Sequence, residues 1–256
     1  MSVTQFMTKL RIWLLFPMLW PVSAAADDIL VAAASNFSAP MARLVEIFEQ
    51  DTGHRVQVAF GSSGRLFAQI SNGAPFQLFF SADQDKPQRL QQAGLAVDGS
   101  DFTYATGTLV LWAADENMRM AGPELLSQSF NYLAIANPAL APYGQAAVEV
   151  LENLEVAEST RSRWVMGENI AQAYQFVETA NAEIGFVALS QVVTTGGIEA
   201  GRGWIVPANY HAPIRQDVVQ MQHSEGCIAC TEFLNFVKSE KAQQVITDFG
   251  YNAAQN

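Results

Sequence analysis

The chain has 256 residues, of which 14 are Lys or Arg and 25 are Asp or Glu, so its formal net charge is −11. This acidic balance argues against binding to nucleic acid or to an anionic membrane surface. Two cysteines are too few for a disulfide framework, whereas the length suffices for one large or two small α/β domains with cores of their own.

The first 26 residues have the order of a secretory signal peptide. Lys9 and Arg11 precede the apolar run IWLLFPMLWPV, and the small residues SAAA follow it. That run is too short for a comfortable membrane span, and no later stretch offers about 18 uninterrupted apolar residues. We therefore predict that segment 1–26 is cleaved and that the mature protein, which begins near Asp27, is exported and soluble.

Strand-like and helix-like segments alternate along the rest of the chain. Short apolar runs predict strands at 29–34, 55–60, 77–82, 108–114, 132–137, 184–189, 204–207 and 216–221. Helical patterns lie between them, including 144–154 and 169–180, and two more helices are predicted at the C-terminus. This alternation is typical of an α/β fold with mostly parallel sheets flanked by helices.

The chain shows no composition break or low-complexity tract that would mark a linker. We therefore predict two lobes that share short crossovers near 105–108 and 208–215. Lobe 1 comprises residues 27–107 plus 212–256, and lobe 2 comprises residues 108–211. Since open α/β sheets bind ligands at the carboxyl ends of their strands, we expect the ligand in the cleft between the lobes.

Four strand-like segments are followed by a small or hydroxylated turn that opens a helix: 29–34, 55–60, 132–137 and the short apolar segment WVM at 164–166. These turns are Ser35-Asn36, Gly61-Ser62-Ser63-Gly64, Ala141-Pro142-Tyr143-Gly144 and Gly167-Glu168-Asn169-Ile170. Any one of them is explained by ordinary helix capping. Together they favour an anion site, because helix N-termini present unpaired N–H groups and a partial positive charge, and serine and tyrosine hydroxyls add donors.

Other functions of the Gly-Ser turn fit less well. A P-loop would need Gly-Lys-Ser/Thr, but Arg65 follows Gly64. A nucleophile elbow would need its glycines one residue further apart. A serine hydrolase with Ser63 as nucleophile would also need a base, and no histidine lies in the four turns. We therefore predict that the protein is not an enzyme.

The cysteines and histidines indicate neither redox catalysis nor a metal site. Cys227 and Cys230 have C-x-x-C spacing but lie near the C-terminus, so a surface disulfide or two unpaired thiols is favoured over a redox pair. The three histidines, His54, His211 and His223, are not at ligand spacing from the cysteines. We therefore expect no direct protein ligand to a metal ion and no cofactor.

A series of motifs resembles the periplasmic molybdate-binding proteins of ABC importers across essentially the whole mature chain. The motifs are AAASNFSAPM, FGSSGRLFAQI, NGAPFQLFFSAD, IANPALAPYGQAA, GENIAQAYQFV and AEIGFVALSQV, in family-like order and separation. The resemblance implies a two-lobed periplasmic-binding-protein-like fold and capture of molybdate or tungstate in the periplasm. It also implies a monomer that delivers its oxyanion to a permease in the inner membrane. A binding protein of the same fold for another oxyanion, such as sulfate, remains the alternative.

The resemblance also implies a ligand set. Ser35 matches a first hydroxyl ligand, and Asn36 beside it offers its backbone N–H and its amide. Ser63 matches a ligand through its hydroxyl and its N–H, and Ile170 matches a position that gives its N–H alone. One branch of the family takes a phenol from the strand position held here by Ala188, and this chain instead has Tyr143 in the turn, as in the other branch.

Three charged residues lie close to the predicted site. We predict that the carboxylate of Glu168 turns outward or serves as a helix cap, because a like charge beside a dianion would be costly. Arg65 and Arg89 occur early in helices, where solvated side chains are more common than ligands. The site is therefore expected to hold an anion without a cationic side chain.

Overall fold

The computed structural model describes residues 27–115, 117, 122–194, 197–198 and 202–252. The predicted signal peptide, residues 1–26, lies outside the described residues. Among the described residues, no helix combines the length and the apolar character that crossing a membrane requires.

The predicted strands and helices are present, together with several short elements. The strands are β1 (Asp28–Ala34), β2 (Arg55–Gly61), β3 (Leu78–Phe80), β4 (Phe102–Gly107), β5 (Leu109–Ala113), β6 (Leu133–Ala136), β7 (Trp164–Gly167), β8 (Ile184–Ala188), β9 (Val193–Thr194), β10 (Gly197–Ile198), β11 (Arg202–Ile205) and β12 (Ile214–Gln220). The helices are α1 (Ser38–Thr52), α2 (Ser63–Ser71), α3 (Asp85–Gln92), α4 (Pro142–Asn153), α5 (Ala157–Thr160), α6 (Ile170–Glu178), α7 (Ile228–Lys238) and α8 (Glu240–Asp248).

The long strands form two five-stranded sheets. The first has the order β2-β1-β3-β12-β4, and the second has the order β11-β5-β8-β6-β7. In each sheet four strands run in one direction and one strand, β12 or β5, runs against both of its neighbours. The α/β class is confirmed, but both sheets are mixed. Strand β5 is the first strand after the chain passes from the first sheet to the second, and β12 is the first strand after it returns. In each sheet, this entering strand is the reversed one.

Strand β4 was not predicted, because its last residues were expected to form the crossover near 105–108. It pairs antiparallel with β12 from Phe102 to Gly107, with a register shift between Gln216 and Asp217. The two strands therefore lie side by side where the chain passes from the first sheet to the second and where it returns. This pairing brings residues more than 100 positions apart next to each other.

Helix boundaries differ slightly from the predicted ones, and the reasons are local. Helix α4 begins at Pro142 rather than at 144, since proline suits the first helical position, and Tyr143 therefore lies in the first turn. Helix α6 begins at Ile170, because Asn169 adopts an extended conformation and caps it.

Apolar side chains fill the space between each sheet and its helices. On helix α1, Met41, Leu44 and Phe48 are buried against one face of the first sheet, as their spacing predicts, and Val45 is partly buried beside them. Helices α2 and α3 pack on the other face through Leu66 and Leu90. Because the sheet is packed against helices on both faces, the positions of its strand ends are fixed.

Candidate functional site

The four predicted helix-opening turns meet at one small cavity. It has an empty volume of about 190 Å³ and is lined by Ala34, Ser35, Asn36, Gly61, Ser62, Ser63, Ala82, Ala141, Pro142, Tyr143, Asn169 and Ile170. All five residues predicted to bind the ligand lie in this lining, and each is at most 5% exposed. None of the twelve lining residues carries a charged side chain.

Helix α2 begins at the cavity. Of the first-turn N–H groups that have no partner within the helix, all but the first are hydrogen-bonded elsewhere. The Ser62 hydroxyl caps the helix by accepting from the Arg65 N–H at 3.3 Å, and the Gly64 N–H donates to the carbonyl of Leu140 at 2.8 Å. In the described part of the chain, the Ser63 N–H is thus the first-turn donor left for a ligand.

The side chain of Ser63 has a defined direction as well. Its hydroxyl oxygen accepts a hydrogen bond from the Ala82 N–H at 2.9 Å, between two buried residues. Because Ser63 acts as the acceptor in this hydrogen bond, the single proton of its hydroxyl is available to an acceptor in the cavity. Ser63 can therefore offer two donors, as predicted.

Helix α6 repeats this arrangement on the other side of the cavity. Asn169 caps it by accepting from the N–H groups of Ala171 at 3.0 Å and Gln172 at 3.2 Å. The N–H of Ile170, the first helical residue, is not used by this cap, and Ile170 lines the cavity. The Ile170 side chain has no polar group, so the donor that this residue can supply is its backbone N–H.

Ser35 and Asn36 follow directly after β1, in the short 3-10 turn that leads into α1. The amide nitrogen of Asn36 donates to Gln216 Oε1 at 2.9 Å and to the Tyr251 hydroxyl at 3.0 Å. Both of its hydrogens are thus used within the protein. Asn36 therefore has its backbone N–H to offer, while its side chain belongs to a buried network rather than to a ligand.

Tyr143 lies in the first turn of α4 and is 2% exposed. Its hydroxyl oxygen accepts a hydrogen bond from Gln216 Nε2 at 3.3 Å. Burial, together with the nearby Tyr251, raises the pKa of the Tyr143 phenol well above its ordinary value. The phenol is therefore protonated at neutral pH and can donate a hydrogen bond.

Glu168 does not line the cavity and does not cap α6; its carboxylate instead binds Ser62, which does line it. Its carboxylate accepts from the Ser62 hydroxyl at 3.0 Å and from Arg65 Nη1 at 2.7 Å. Burial alone would raise the pKa of Glu168, but the hydrogen bonds from Arg65 and Ser62 outweigh it and lower that pKa below its ordinary value. Neither Arg65 nor Arg89 lines the cavity, and both are more than half exposed.

The polar residues behind the cavity wall were not predicted from the sequence. Gln216, Tyr104, Tyr251 and Ser190 are buried and hydrogen-bonded to one another or to Asn36. They come from β4, β12, the turn after β8 and the C-terminus, so no local motif unites them. The one signal in the sequence is that the strand segment QDVVQM carries three polar residues, Gln216, Asp217 and Gln220, among apolar ones.

The two cysteines form a disulfide at the start of α7. They do not line the cavity, and Cys230 is fully buried. The structure thus selects the disulfide from the two alternatives that the sequence left open. Within the described ranges, no group of three or more His, Cys, Asp or Glu side chains could hold a metal ion.

A second and larger cleft adjoins the cavity. It has an empty volume of about 820 Å³, is open to solvent and shares Ala82, Ala141 and Pro142 with the smaller cavity. Its charged lining residues, Asp83, Lys86, Glu149 and Arg215, are of both signs. The larger cleft therefore lacks the convergence of donors that distinguishes the small cavity.

Comparisons with known proteins agree with this geometry. A family model described as bacterial extracellular solute-binding protein matches residues 29–252. The molybdate-binding protein of Azotobacter vinelandii is 47% identical over 90% of this chain and 91% of its own length, and that of Rhodobacter capsulatus is 43% identical over 89% of each. The solved structure of the Azotobacter vinelandii periplasmic molybdate-binding protein superposes with a TM-score of 0.85 at 37% identity, over 89% of this chain and all of that one. The matched family is one of binding proteins rather than enzymes, and this chain belongs to the bacterial extracellular solute-binding protein family.

Proposed function

We propose that the protein captures molybdate, and tungstate with it, for delivery to an ABC permease. The observation that carries the proposal is the convergence of helix N-termini and hydroxyls from both sheets on one uncharged cavity. The donors are the hydroxyls of Ser35, Ser63 and Tyr143 and the N–H groups of Asn36, Ser63 and Ile170. The chain's similarity to molybdate-binding proteins supports this choice of ligand.

The chemistry of the cavity suits a fully deprotonated tetrahedral anion. Such an anion accepts hydrogen bonds and donates none, so donors hold it and leave no group unpaired. A protonated phosphate would bring a hydroxyl that needs an acceptor, which disfavours it. About six charge-assisted hydrogen bonds at about 1.5–3 kcal/mol each give a gross gain of about 9–18 kcal/mol, before the costs of ordering and closure.

We further propose that residues 27–107 plus 212–256 and residues 108–211 act as two lobes that close on the anion. The distribution of strands between the two sheets supports this division, and so does the position of the cavity between α2 and α6. The closed form would be what a permease in the inner membrane recognises. The basic and apolar order of segment 1–26 supports export to the periplasm, where the protein would act as a monomer.

The two alternatives have less support. A sulfate-binding protein would use the same donors, and cavity size would have to decide between the two dianions. A serine hydrolase would need a base beside Ser63, but the partner of its hydroxyl is the Ala82 N–H, and none of the three histidines lines the cavity. His54, the buried one, contacts Glu232 and the Asp27 N–H instead.

Thermal unfolding of the purified protein with molybdate, tungstate, sulfate, phosphate and no addition tests the proposal. A ligand at about 1,000 times its dissociation constant adds about 4 kcal/mol of stability, which raises the Tm of a chain this long by about 8–16 °C. We expect that shift with molybdate and tungstate alone. A shift with sulfate alone would move the function to that anion, and no shift with any anion would contradict the proposal.

A further inference from the structure

We propose that Gln216 is a positioning residue that fixes the Tyr143 hydroxyl as a hydrogen-bond donor toward the cavity, and thereby sets the preference for fully deprotonated oxyanions. The inference rests on the proposed function and names a determinant of its selectivity. Gln216 is fully buried on β12 and does not itself line the cavity. It must therefore act through a neighbour.

The direction of the hydrogen bonds can be assigned from a backbone carbonyl, which only accepts. The Tyr251 hydroxyl lies 2.8 Å from the carbonyl oxygen of Asn36, and at that separation a proton must lie between the two oxygens. Tyr251 supplies it. The Tyr251 oxygen, 3.0 Å from the Asn36 side-chain amide, must then accept, so the nitrogen of that amide faces it.

The donor and acceptor atoms of Gln216, and then of Tyr143, can be assigned in the same way. The Asn36 amide nitrogen also faces Gln216 at 2.9 Å, and the facing atom must accept, which makes it Oε1. The Tyr104 hydroxyl lies 2.9 Å from that oxygen and 3.0 Å from the Ser81 carbonyl, so its one proton is shared between two acceptors and the direction at Gln216 is set by Asn36. Gln216 Nε2 is therefore the atom that faces Tyr143 at 3.3 Å. If the Gln216 amide were rotated by 180°, its Nε2 would face the Asn36 amide nitrogen, and two donors would meet.

This order leaves Tyr143 with one role. Its oxygen accepts from Gln216 and its proton is donated to the Tyr251 oxygen, from which an anion can take the hydrogen bond because it is the stronger acceptor. An anion that carries its own proton would need Tyr143 to accept, and the acceptor side of Tyr143 is engaged. The Ala82 N–H occupies one of the two acceptor positions of the Ser63 hydroxyl in the same way.

The backbone beside the pair has no side chain of its own. Gly107 on β4 lies against it, and a Cβ at that position would overlap the Tyr143 hydroxyl and approach Gln216 Nε2 to 2.6 Å. The contact between Gln216 and Tyr143 is thus enclosed by strands β4 and β12, far from solvent.

A double-mutant cycle tests the inference. Molybdate and phosphate dissociation constants are measured by calorimetry for the wild type, Gln216→Met, Tyr143→Phe and the double variant. We expect Gln216→Met to weaken molybdate binding by about fivefold, to reduce the preference for molybdate over phosphate, and to have no effect once Tyr143 is Phe. Gln220→Met is the matched control, because Gln220 is also buried on β12 but donates to the Ser224 carbonyl.

The outcomes separate the inference from the proposed function. A wild type that binds neither molybdate nor tungstate overturns the proposed function, and the inference with it. A wild type that binds, with equal losses from Gln216→Met in both Tyr143 backgrounds, overturns the inference alone. If Gln216→Met does not fold, the Tyr251→Phe variant replaces it. This variant removes the hydroxyl that sets the direction of the hydrogen bonds through Asn36 to Gln216. An unchanged preference for molybdate over phosphate in Tyr251→Phe would overturn the inference.

Discussion

The carboxylate of Glu168 lies 2.7 Å from the guanidinium of Arg65, and this ion pair joins the turn before α6 to the helix α2. Helix α2 packs on the first sheet and α6 packs on the second. The pair therefore bridges the two halves of the cavity wall beside the cap residues Ser62 and Asn169. It neutralises the one acidic side chain in the four turns.

Removing the arginine should harm binding more than removing the acid. Arg65→Met leaves an unpaired carboxylate next to an anion site, so we expect molybdate affinity to fall by about two- to fivefold at low salt, as for a half-exposed pair. Glu168→Gln should cost less, and the double variant should lie nearer the wild type than Arg65→Met. Calorimetry at two ionic strengths measures this. Equal affinities for Arg65→Met and the double variant would contradict the electrostatic reason.

Acid should remove the stabilising contribution of Glu168. Its pKa is lower in the folded protein than the ordinary value of 4.5, so the contribution is present above that value and is lost as the pH falls through the folded pKa. Unfolding free energies of wild type and Glu168→Gln, measured by denaturant titration at several pH values, should differ near neutrality and converge below 4.5. Curves that stay parallel into acid would show that the carboxylate charge does not stabilise the fold.

A methyl group at position 64 should hold the two sides of the cavity apart. The Gly64 N–H donates to the Leu140 carbonyl, and a Cβ there would lie 2.9 Å from that oxygen and 3.0 Å from the Leu140 Cα. Because both contacts are with backbone, we expect Gly64→Ala to weaken molybdate binding by about tenfold or more, with a smaller effect on the Tm without ligand. Gln69→Ala, on the exposed face of the same helix, is the control. Unchanged affinity would mean that this contact is not made in the bound form.

The backbone donor of Ile170 can be deleted without disturbing its helix. Proline suits the first helical position, and the extended conformation of Asn169 (φ −142, ψ 176) is compatible with a following proline. Ile170→Pro should lower molybdate affinity by about tenfold, since it removes a charge-assisted hydrogen bond. Ile170→Val keeps the N–H and should bind within about twofold of the wild type. Calorimetry on both variants decides, and similar losses would assign the effect to packing.

Reducing the disulfide should affect stability but not binding. Cys227 and Cys230 close a very short loop, for which chain entropy gives about 2 kcal/mol. In strong reductant we expect the Tm to fall by about 4–8 °C, while the molybdate dissociation constant stays unchanged because neither cysteine lines the cavity. A large change in affinity would place α7 in the binding mechanism.

Short sequence patterns were enough to predict those parts of the candidate site that depend on a single turn and its helix. Each of the four turns ends a strand and opens a helix, and capping rules anticipate the free N–H of Ser63 and of Ile170. The placement of Tyr143 depended on the family resemblance, because a tyrosine beside a proline has no chemical signature of its own.

What the sequence could not predict depends on contacts across the whole chain. Gln216 meets Asn36 over a separation of 180 residues, and Tyr251 meets it over 215. The amide of Asn36 was expected to be free for a ligand, and these two partners show why it is not. The mixed sheets have the same origin, since the direction of β12 is set by the return of the chain and not by its own residues.

Because the cavity is uncharged and the protein is acidic, the association rate and the residence time of the anion should depend differently on salt. With a formal net charge of −11, the surface repels an approaching dianion at long range. In the proposed binding mode the anion is held by neutral dipoles at short range, where mobile ions screen little. Added salt should therefore accelerate association while leaving the residence time nearly constant. Such a receptor would load faster, and hold its cargo for as long, in saline surroundings than in dilute ones.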